Sequence, residues 1–388
     1  CRSSYTGIPK IPLRRLTLFL ALACLYCCLC SALSMSTPSP HLTLNEKERD
    51  AVVGMATSWA SLNGLVVMRS TGLQSAPFNL LPTPYPRRVF RQVSEVMHDF
   101  NVLVHRVSMD YDFLFEHLSP VARADEFQDR LLQILKKVKE EGVRQKVCLG
   151  THRSDYMLHT GADGTLTPKQ VEINTIASSF AGLSGLVSKL HRFLLSRFPR
   201  PGINPSDCPD NAPVDGIADG ISDALRLYAV SEPPSIPSSS PRRLAALFVV
   251  QPGEGNIFDQ RLLELRLWER HSVPVIRASL AQIEEDGRLD EGSRRLEMYC
   301  YEIGVVYFRA GYTPDDYKGE AEWRARLMVE RSAAIKCPTV AYQCVGAKKI
   351  QQVLSGPGMV ERFAADAAAA ERIRATFTGL YPLGDGTP

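Results

Sequence analysis

Few residues in this 388-residue chain are spaced for chemistry, and each has an ordinary structural alternative. Glu172 and Asn174 set a carboxylate and a carboxamide two positions apart, so in an extended segment both share a face and can converge on one hard cation such as Mg²⁺. A solvent-facing strand edge has the same spacing. Arg153, in THRSDYM, can fork onto a carboxylate or phosphate, or simply pair with Asp155. Asn256, Asp259 and Gln260 stand where a helix begins and free backbone N–H groups favour anions, although an asparagine that merely caps the helix is commoner. Arg309 ends the apolar run VVYF and leads into Ala310, Gly311 and Tyr312. Arg309 and Tyr312 therefore leave the carboxyl end of a parallel strand, where α/β proteins form ligand sites, unless Arg309 only closes a strand-end ion pair. Lys348 and Lys349 follow a glycine and can address phosphate or stay solvated. No residue is assigned as a catalytic acid, base or nucleophile. The eight histidines and the scattered cysteines lack zinc spacing, and GxxxxGK, GxGxxG and GxSxG are absent from the sequence.

These residues need a scaffold, and the pattern supplies one. Leu44 to Asn63, followed by Gly64, reads as a helix closed by a left-handed cap, and LVVMR as a short strand. From Ala124, the stretch AEFQDRLLQILKKVKEE puts Phe127, Leu131, Leu135 and Val138 on one helical face, with Gly142 as its stop. VRQKVCLG is expected to form a strand, KQVEINTIASS another, and AGLSGLVSKLHRFLLSRF a helix. The Pro/Ser-rich stretch from Ser231 to Arg243 reads as a solvated loop. Beyond it, LAALFVV, SVPVIRAS and IGVVYFR read as strands, while NIFDQRLLELRLWERH and EAEWRARLMVERSAAIK read as helices. Such alternation predicts a small parallel sheet covered on both faces, forming a second α/β block inserted into the first. No internal repeat is visible.

Composition narrows the class. Lys and Arg total 45 against 42 Asp and Glu, a formal charge of +3, which is too balanced for a protein held to nucleic acid by phosphate neutralisation. Cys148, Cys208, Cys300, Cys337 and Cys344 are scattered singly, as suits a reducing compartment, whereas Cys24, Cys27, Cys28 and Cys30 crowd an apolar run, Leu16 to Leu33, behind Arg14 and Arg15. Alone, that run has the pattern of a secretory signal. Because residue 1 is Cys1, the expectation is a processed chain or a fragment, with Met35 or Met55 as the true start and no membrane segment in the mature protein.

From about Leu42 to Leu383 the chain resembles eukaryotic glutathione synthetases, which are ATP-grasp ligases. The strings APFNLLP, HRSDYM, VEINTIASSF, GNIFDQR, VVYFRAGY, ERSAAIKCP, GAKKIQQ and ATFTGLYPL occur in that family's order. The resemblance implies an α/β fold: an ATP-grasp-type ligase, incomplete here, with an inserted parallel-sheet substrate-binding domain and N-terminal helices. The implied divisions are 1–40, an apolar leader or non-native upstream segment; 41–243, the N-terminal helices and first part of the ATP-grasp core; 244–347, the substrate-binding domain; and 348–388, the start of the return to the core. It further implies ligation of γ-glutamylcysteine to glycine through an acyl phosphate, with ATP as co-substrate and Mg²⁺ as cofactor, in a cytoplasmic homodimer. Glu172 and Asn174 would be magnesium ligands, and Glu172 and Lys348 would lie at the nucleotide. The dipeptide or its product would be held by Arg153, by Ile176, Ala177, Ser178 and Ser179, by Glu254, Gly255, Asn256 and Gln260, and by Arg309, Ala310, Gly311 and Tyr312. Ala177 stands where family members often have serine, and Ala310 where some have aspartate. In the family, a glycine-rich phosphate loop with another magnesium glutamate follows LYPL, whereas this sequence ends at Pro388, so the 388 residues alone are expected to be inactive. Two other readings remain open at this stage: an inactive short form pairing with full-length subunits, and a secreted or membrane-tethered binding protein.

Overall fold

Local signals fix most element ends. In the computed structural model, which describes residues 44–232 and 243–380, Asn45 and Glu48 form a reciprocal capping box before helix α1 (Glu46–Asn63), and Gly64 closes it at φ 78°. Strands β1 (Val66–Arg69) and β2 (Gly72–Ser75) form an antiparallel hairpin. Helices α2 (Arg87–Met109), α3 (Tyr111–Ala122) and α4 (Glu126–Glu141) follow. On α4, Leu131, Leu135 and Val138 are buried as their spacing predicts, Asp125 caps the front, and Gly142 ends the helix. Next come an antiparallel ribbon of β3 (Arg153–Thr160) and β4 (Leu166–Asn174), then α5 (Ala181–Arg197) and α6 (Pro213–Ser231).

A six-stranded sheet occupies the next part of the chain. Its strands are β5 (Leu244–Val249), β6 (Val275–Ala278), β7 (Gly287–Leu289), β8 (Leu296–Met298), β9 (Tyr301–Phe308) and β10 (Ile335–Cys337), with α7 (Ile257–His271), α8 (Leu280–Asp286) and α9 (Glu320–Arg331) between them. The spatial order is β6-β5-β9-β8-β7, with β10 also on β9. Four short helices follow: α10 (Val340–Val345), α11 (Lys348–Ser355), α12 (Met359–Phe363) and α13 (Ala367–Thr376).

Three expectations need correction. The sheet is mixed rather than purely parallel: β6, β5, β9 and β10 run parallel, but β7 and β8 add antiparallel pairing. Those two strands have three residues each, too few for alternation to register in the sequence. Val143 to Gly150 is not a strand; beside β10 it makes a backbone bond from Leu149 N to Lys336 O at 3.3 Å, and Gln145 reaches Ala333 O through its side chain. The helix expected to continue through Lys336 stops at Arg331, because Ile335–Cys337 pairs in parallel with Val305–Tyr307. There the sheet, rather than the next helical turn, satisfies the backbone.

Strand alternation splits the sheet between two cores. Ala245, Leu247 and Val249 face Leu280, Ile283, Ala325 and Val329, while Ala246 and Phe248 face Ile221, Tyr228, Leu263 and Leu267. A third core unites α2, α3 and α4 with α10 to α13, and a fourth lies beneath α1, β1 and α5. Fully burying a leucine-sized side chain contributes roughly 1.5–3 kcal/mol, so these cores make the scaffold stiff where the polar residues leave it. Among the described residues no helix is long and apolar enough to cross a membrane. The Leu16–Leu33 run, residues 233–242 of the Pro/Ser-rich stretch and the last eight residues lie outside the described residues.

Candidate functional site

Two polar clusters stand at the ends of these elements. The first forms where parallel β5 and β9 finish. Val249 O accepts both Arg309 N (2.8 Å) and Ala310 N (3.1 Å), so the register of the sheet fixes where Arg309 emerges. Its guanidinium is 3% exposed, and donates from Nη1 to Asp259 Oδ2 (3.1 Å) and from Nη2 to Ser179 Oγ (2.8 Å). Burial pulls the Arg309 pKa down, but Tyr307 and Asp259 more than offset this and leave it raised. Burial pushes the neighbouring Tyr307 hydroxyl up to about 12.

Asp259 does more than pair with Arg309. Its carboxylate also accepts from Phe180 N (2.8 Å), Gly182 N (2.9 Å) and Leu183 N (3.2 Å), satisfying the amino end of α5 from another helix. Phe180, at the N-cap of α5, offers no side-chain cap of its own. Both Ala177 (φ 51°) and Phe180 (φ 74°) are left-handed, a conformation that costs non-glycine residues on the order of 1–3 kcal/mol. The Asp259 carboxylate and the Arg309–Ser179 bond hold that loop in place. Ser178 adds bonds to Thr151 O (3.1 Å) and Asn174 O (3.3 Å), while Ile176 packs on the sheet core.

On α7, Asn256 occupies the N-cap but makes no capping bond, so the ordinary alternative is not what the structure adopts. Its Oδ1 is buried without a hydrogen-bond partner. Gln260, one turn on and fully buried, accepts from Arg277 Nη2 at Oε1 (2.7 Å). A guanidinium only donates, so this bond turns the Gln260 amide nitrogen the other way, and that nitrogen too has no hydrogen-bond partner. Glu254 braces the turn by accepting from Asn256 N (2.7 Å) and Gln251 Nε2 (3.2 Å). Gly255 O accepts from Met68 N of β1 (2.9 Å), and a Cβ at Gly255 would press on Met68 O at 3.0 Å. Across from this turn, Gly311 (φ 89°) bends the chain after Arg309, and Asp316 gathers the N–H groups of Gly311, Tyr312 and Thr313. Tyr312 is left exposed, and Ala310 is buried.

The second cluster lies on the β3–β4 ribbon. Pairing sets Arg153 opposite Asn174 and Asp155 opposite Glu172. Arg153 forks onto Asp155 at 2.9 and 3.0 Å, the ordinary alternative for this residue, and lies 4.0 Å from Glu172 Oε1. Asn174 donates to Glu172 Oε1 (3.1 Å), which confirms the shared face, and Lys348 at the start of α11 pairs with Oε2. Lys348 and then Asn174 hold the Glu172 carboxyl below the usual range, against the opposing pull of burial. Among the described residues no group of three His, Cys, Asp or Glu side chains could hold a metal by itself. Glu172 and Asn174 nevertheless offer oxygen donors, and Mg²⁺ commonly takes one or two from protein and the rest from water and phosphate.

Ser179, Asn256, Gln260 and Arg309 thus gather around Asp259, with Ala177, Ser178, Glu254, Gly255, Ala310, Gly311 and Tyr312 on the loops beside them. Arg153, Glu172, Asn174 and Lys348 form the other cluster. Sequence reasoning missed Arg277, although a charged residue inside the apolar run VPVIRAS is a usable signal. It also missed Gln343, a lone polar side chain in VAYQCV.

The chain matches the family described as eukaryotic glutathione synthase, ATP binding domain, over residues 46–388. It is 40% identical over 342 residues to the glutathione synthetase of Dictyostelium discoideum, covering 84% of this chain and 69% of that protein. It is 46% identical over 312 residues to the glutathione synthetase of Xenopus laevis, covering 80% of this chain and 63% of the relative. The chain therefore spans about two thirds of the length of these relatives. Among solved structures it is similar to a glutathione synthetase-like effector from Globodera pallida in its apo form, with a TM-score of 0.72 at 24% identity, covering 88% of this chain and 72% of that one. That likeness is one of fold.

Proposed function

Because the chain belongs to the eukaryotic glutathione synthase family, we propose that it serves as the ATP-dependent ligase joining γ-glutamylcysteine to glycine. In this reaction ATP phosphorylates the carboxylate at the cysteine end of the dipeptide and ADP leaves. The glycine amine then displaces phosphate from the acyl phosphate, giving glutathione. The protein's share is positioning and charge stabilisation.

One observation carries the substrate half of this reading. The guanidinium of Arg309 is buried and fixed, and on the α7 turn beside its partner Asp259 a buried acceptor, Asn256 Oδ1, and a buried donor, Gln260 Nε2, have no hydrogen-bond partner. Leaving buried polar atoms unsatisfied costs on the order of 1–3 kcal/mol each, and a charged peptide-like ligand would recover that. The turn at Glu254 and Gly255, the loop from Ile176 to Ser179, and Ala310 to Tyr312 would complete the contacts. Ala177 and Ala310 lack polar side chains and would contribute backbone groups alone. Arg153 would join them by exchanging Asp155 for a substrate carboxylate.

Glu172 and Lys348 make the nucleotide half. Bound Mg²⁺ would neutralise phosphate charge; Glu172 and Asn174 would supply oxygens to it, and Lys348 would reach ATP. The domain divisions at 40, 243 and 347 belong to the same proposal; α11–α13 return to the core of α2–α4 as it expects, while α10, ahead of 347, already packs there and α6, ahead of 243, packs against the sheet. Homodimerisation and a cytoplasmic location are likewise proposed from family membership.

Calorimetric titration with γ-glutamylcysteine tests the substrate half, and incorporation of labelled glycine into glutathione by the intact gene product with MgATP tests the reaction. Dipeptide binding weakened on the order of tenfold in Arg309→Ala is expected. No dipeptide binding, or ADP release without glutathione, would overturn the reading.

A further inference from the structure

Behind the Arg309–Tyr312 segment lies a buried pair of side chains, Arg326 and Gln343, that bonds to the segment only at Gly311. Arg326, on α9, is fully buried, and its guanidinium sits over the Phe308 ring at 4.1 Å. Its Nη2 donates to Gln343 Oε1 (3.1 Å), and Glu330 Oε2 lies 3.6 Å away. Gln343, on α10, is buried in turn and donates from Nε2 to Gly311 O (2.8 Å). Arg326 therefore holds Phe308, just before the segment, through the ring, and Gly311, within it, through Gln343.

The chemistry of this relay has one direction. Guanidinium groups donate and do not accept, so Arg326 fixes which end of the Gln343 amide faces it and leaves the NH₂ for the Gly311 carbonyl. Gly311 is the left-handed hinge of the segment, and its N–H is already committed to Asp316. Its N–H is held by Asp316 and its C=O by Gln343, with a longer bond from the Tyr317 hydroxyl at 3.3 Å, so the peptide units on both sides of Gly311 are fixed. Their orientation sets the direction in which Arg309 and Tyr312 leave on either side. Glu330 anchors the far side by accepting from Val340 N at 3.0 Å, the first residue of α10.

The geometry points to Gln343, oriented by Arg326, as a positioning residue for the Arg309–Tyr312 loop. This role rests on the reading of that loop as a substrate-binding one. Gln343 also lies only five positions before Lys348, so one short stretch of chain braces the substrate loop and carries the proposed nucleotide lysine. The bond lends rigidity to a loop whose own sequence, Ala310-Gly311, has little.

Gln343→Glu separates this role from simple packing. The carboxylate keeps the side chain's size and its acceptor for Arg326, but turns an oxygen toward Gly311 O in place of a donor. Calorimetry should show γ-glutamylcysteine binding weakened roughly tenfold, the scale of losing one buried hydrogen bond, with ATP affinity unchanged. Amide exchange of residues 311–313 should quicken while exchange in the sheet stays as in the wild type. Wild-type dipeptide affinity and wild-type exchange at 311–313 in Gln343→Glu would overturn the assignment, as would equal losses for dipeptide and ATP. If the unaltered protein fails to bind the dipeptide, the functional reading falls, and exchange at 311–313 still decides whether Gln343 holds the loop. Should Gln343→Glu not fold, Arg326→Lys keeps the charge beside Glu330 but removes the planar donor, and is read by the same two measurements.

Discussion

The two ion pairs at the centre of the clusters are built to opposite specifications. Arg309 and Asp259 are 3% and 0% exposed, whereas Lys348 and Glu172 are 63% and 30% exposed. A buried pair cannot lose one member without leaving an uncompensated charge away from water. A pair near the surface is screened, contributes about 0–1 kcal/mol, and can exchange partners at little cost. The protein thus keeps a permanent anchor where a peptide would be gripped, and a replaceable contact where a metal and phosphates would come and go.

The comparison is broken most directly at Asp259. Asp259→Ala should lower unfolding stability by about 3–5 kcal/mol in urea titration, because it strands Arg309 and uncaps α5 at once. A loss under about 1 kcal/mol would place this pair in the same class as the exposed one. Next in size, Glu172→Gln keeps the shape and removes the charge, so turnover of the intact gene product should fall roughly a hundredfold while dipeptide affinity holds. Equal losses in both would remove Glu172 from the phosphate side. Smaller still, on the order of tenfold each, Arg309→Ala should raise KM mainly for γ-glutamylcysteine and Lys348→Ala mainly for ATP. A reversed pattern would mean the two clusters had exchanged roles.

The smallest expected effect is in pH. The folded Glu172 carboxyl lies below its unfolded value because Lys348 and Asn174 favour the charged form. Its stabilising contribution is therefore present above the unfolded pKa and fades as pH falls through the lower folded one. Lys348→Ala should be less stable than the wild type by no more than about 1 kcal/mol at neutral pH, and the gap should close as pH falls below the ordinary carboxylate range. A gap that widens in acid would contradict the assigned direction.

Legibility in the sequence followed the range of the forces involved. Helix α4 and the end of α1 could be read because their causes are local: Leu131, Leu135 and Val138 at helical spacing, and Gly64 just past the last turn. The pairing of Glu172 with Asn174 on one face followed from strand alternation. What escaped has distant causes. Ile335–Cys337 is a strand because Val305–Tyr307 lies beside it, and Val143–Gly150 is not one because a lone backbone bond, Leu149 N to Lys336 O, does not make a ladder with β10. Asp259 was visible only as a helix-start residue, since its bonds to Phe180, Gly182 and Leu183 reach back 76 to 79 positions. Gln343 carried no signal stronger than a polar letter among apolar ones. The metal and substrate assignments themselves came from whole strings matching a family, which spacing alone did not reach.

The core shared by α2–α4 and α10–α13 has a consequence for how the chain reaches its native state. Asp99 is clasped by both arms of Arg372, 273 positions away, and Arg106 reaches Phe363 across 257. The six-stranded sheet, by contrast, closes on segments close to it in the chain. Contacts of long sequence separation form late, because loop closure must precede them. During synthesis, the apolar faces of α2, α3 and α4 that meet α10–α13 therefore stay uncovered until those helices have been made. Pulse-labelled hydrogen exchange during refolding would show this as protection in β5 and β9 ahead of α2, and simultaneous protection would refute it. These helices are thus completed only by residues that lie more than two hundred positions further along the chain.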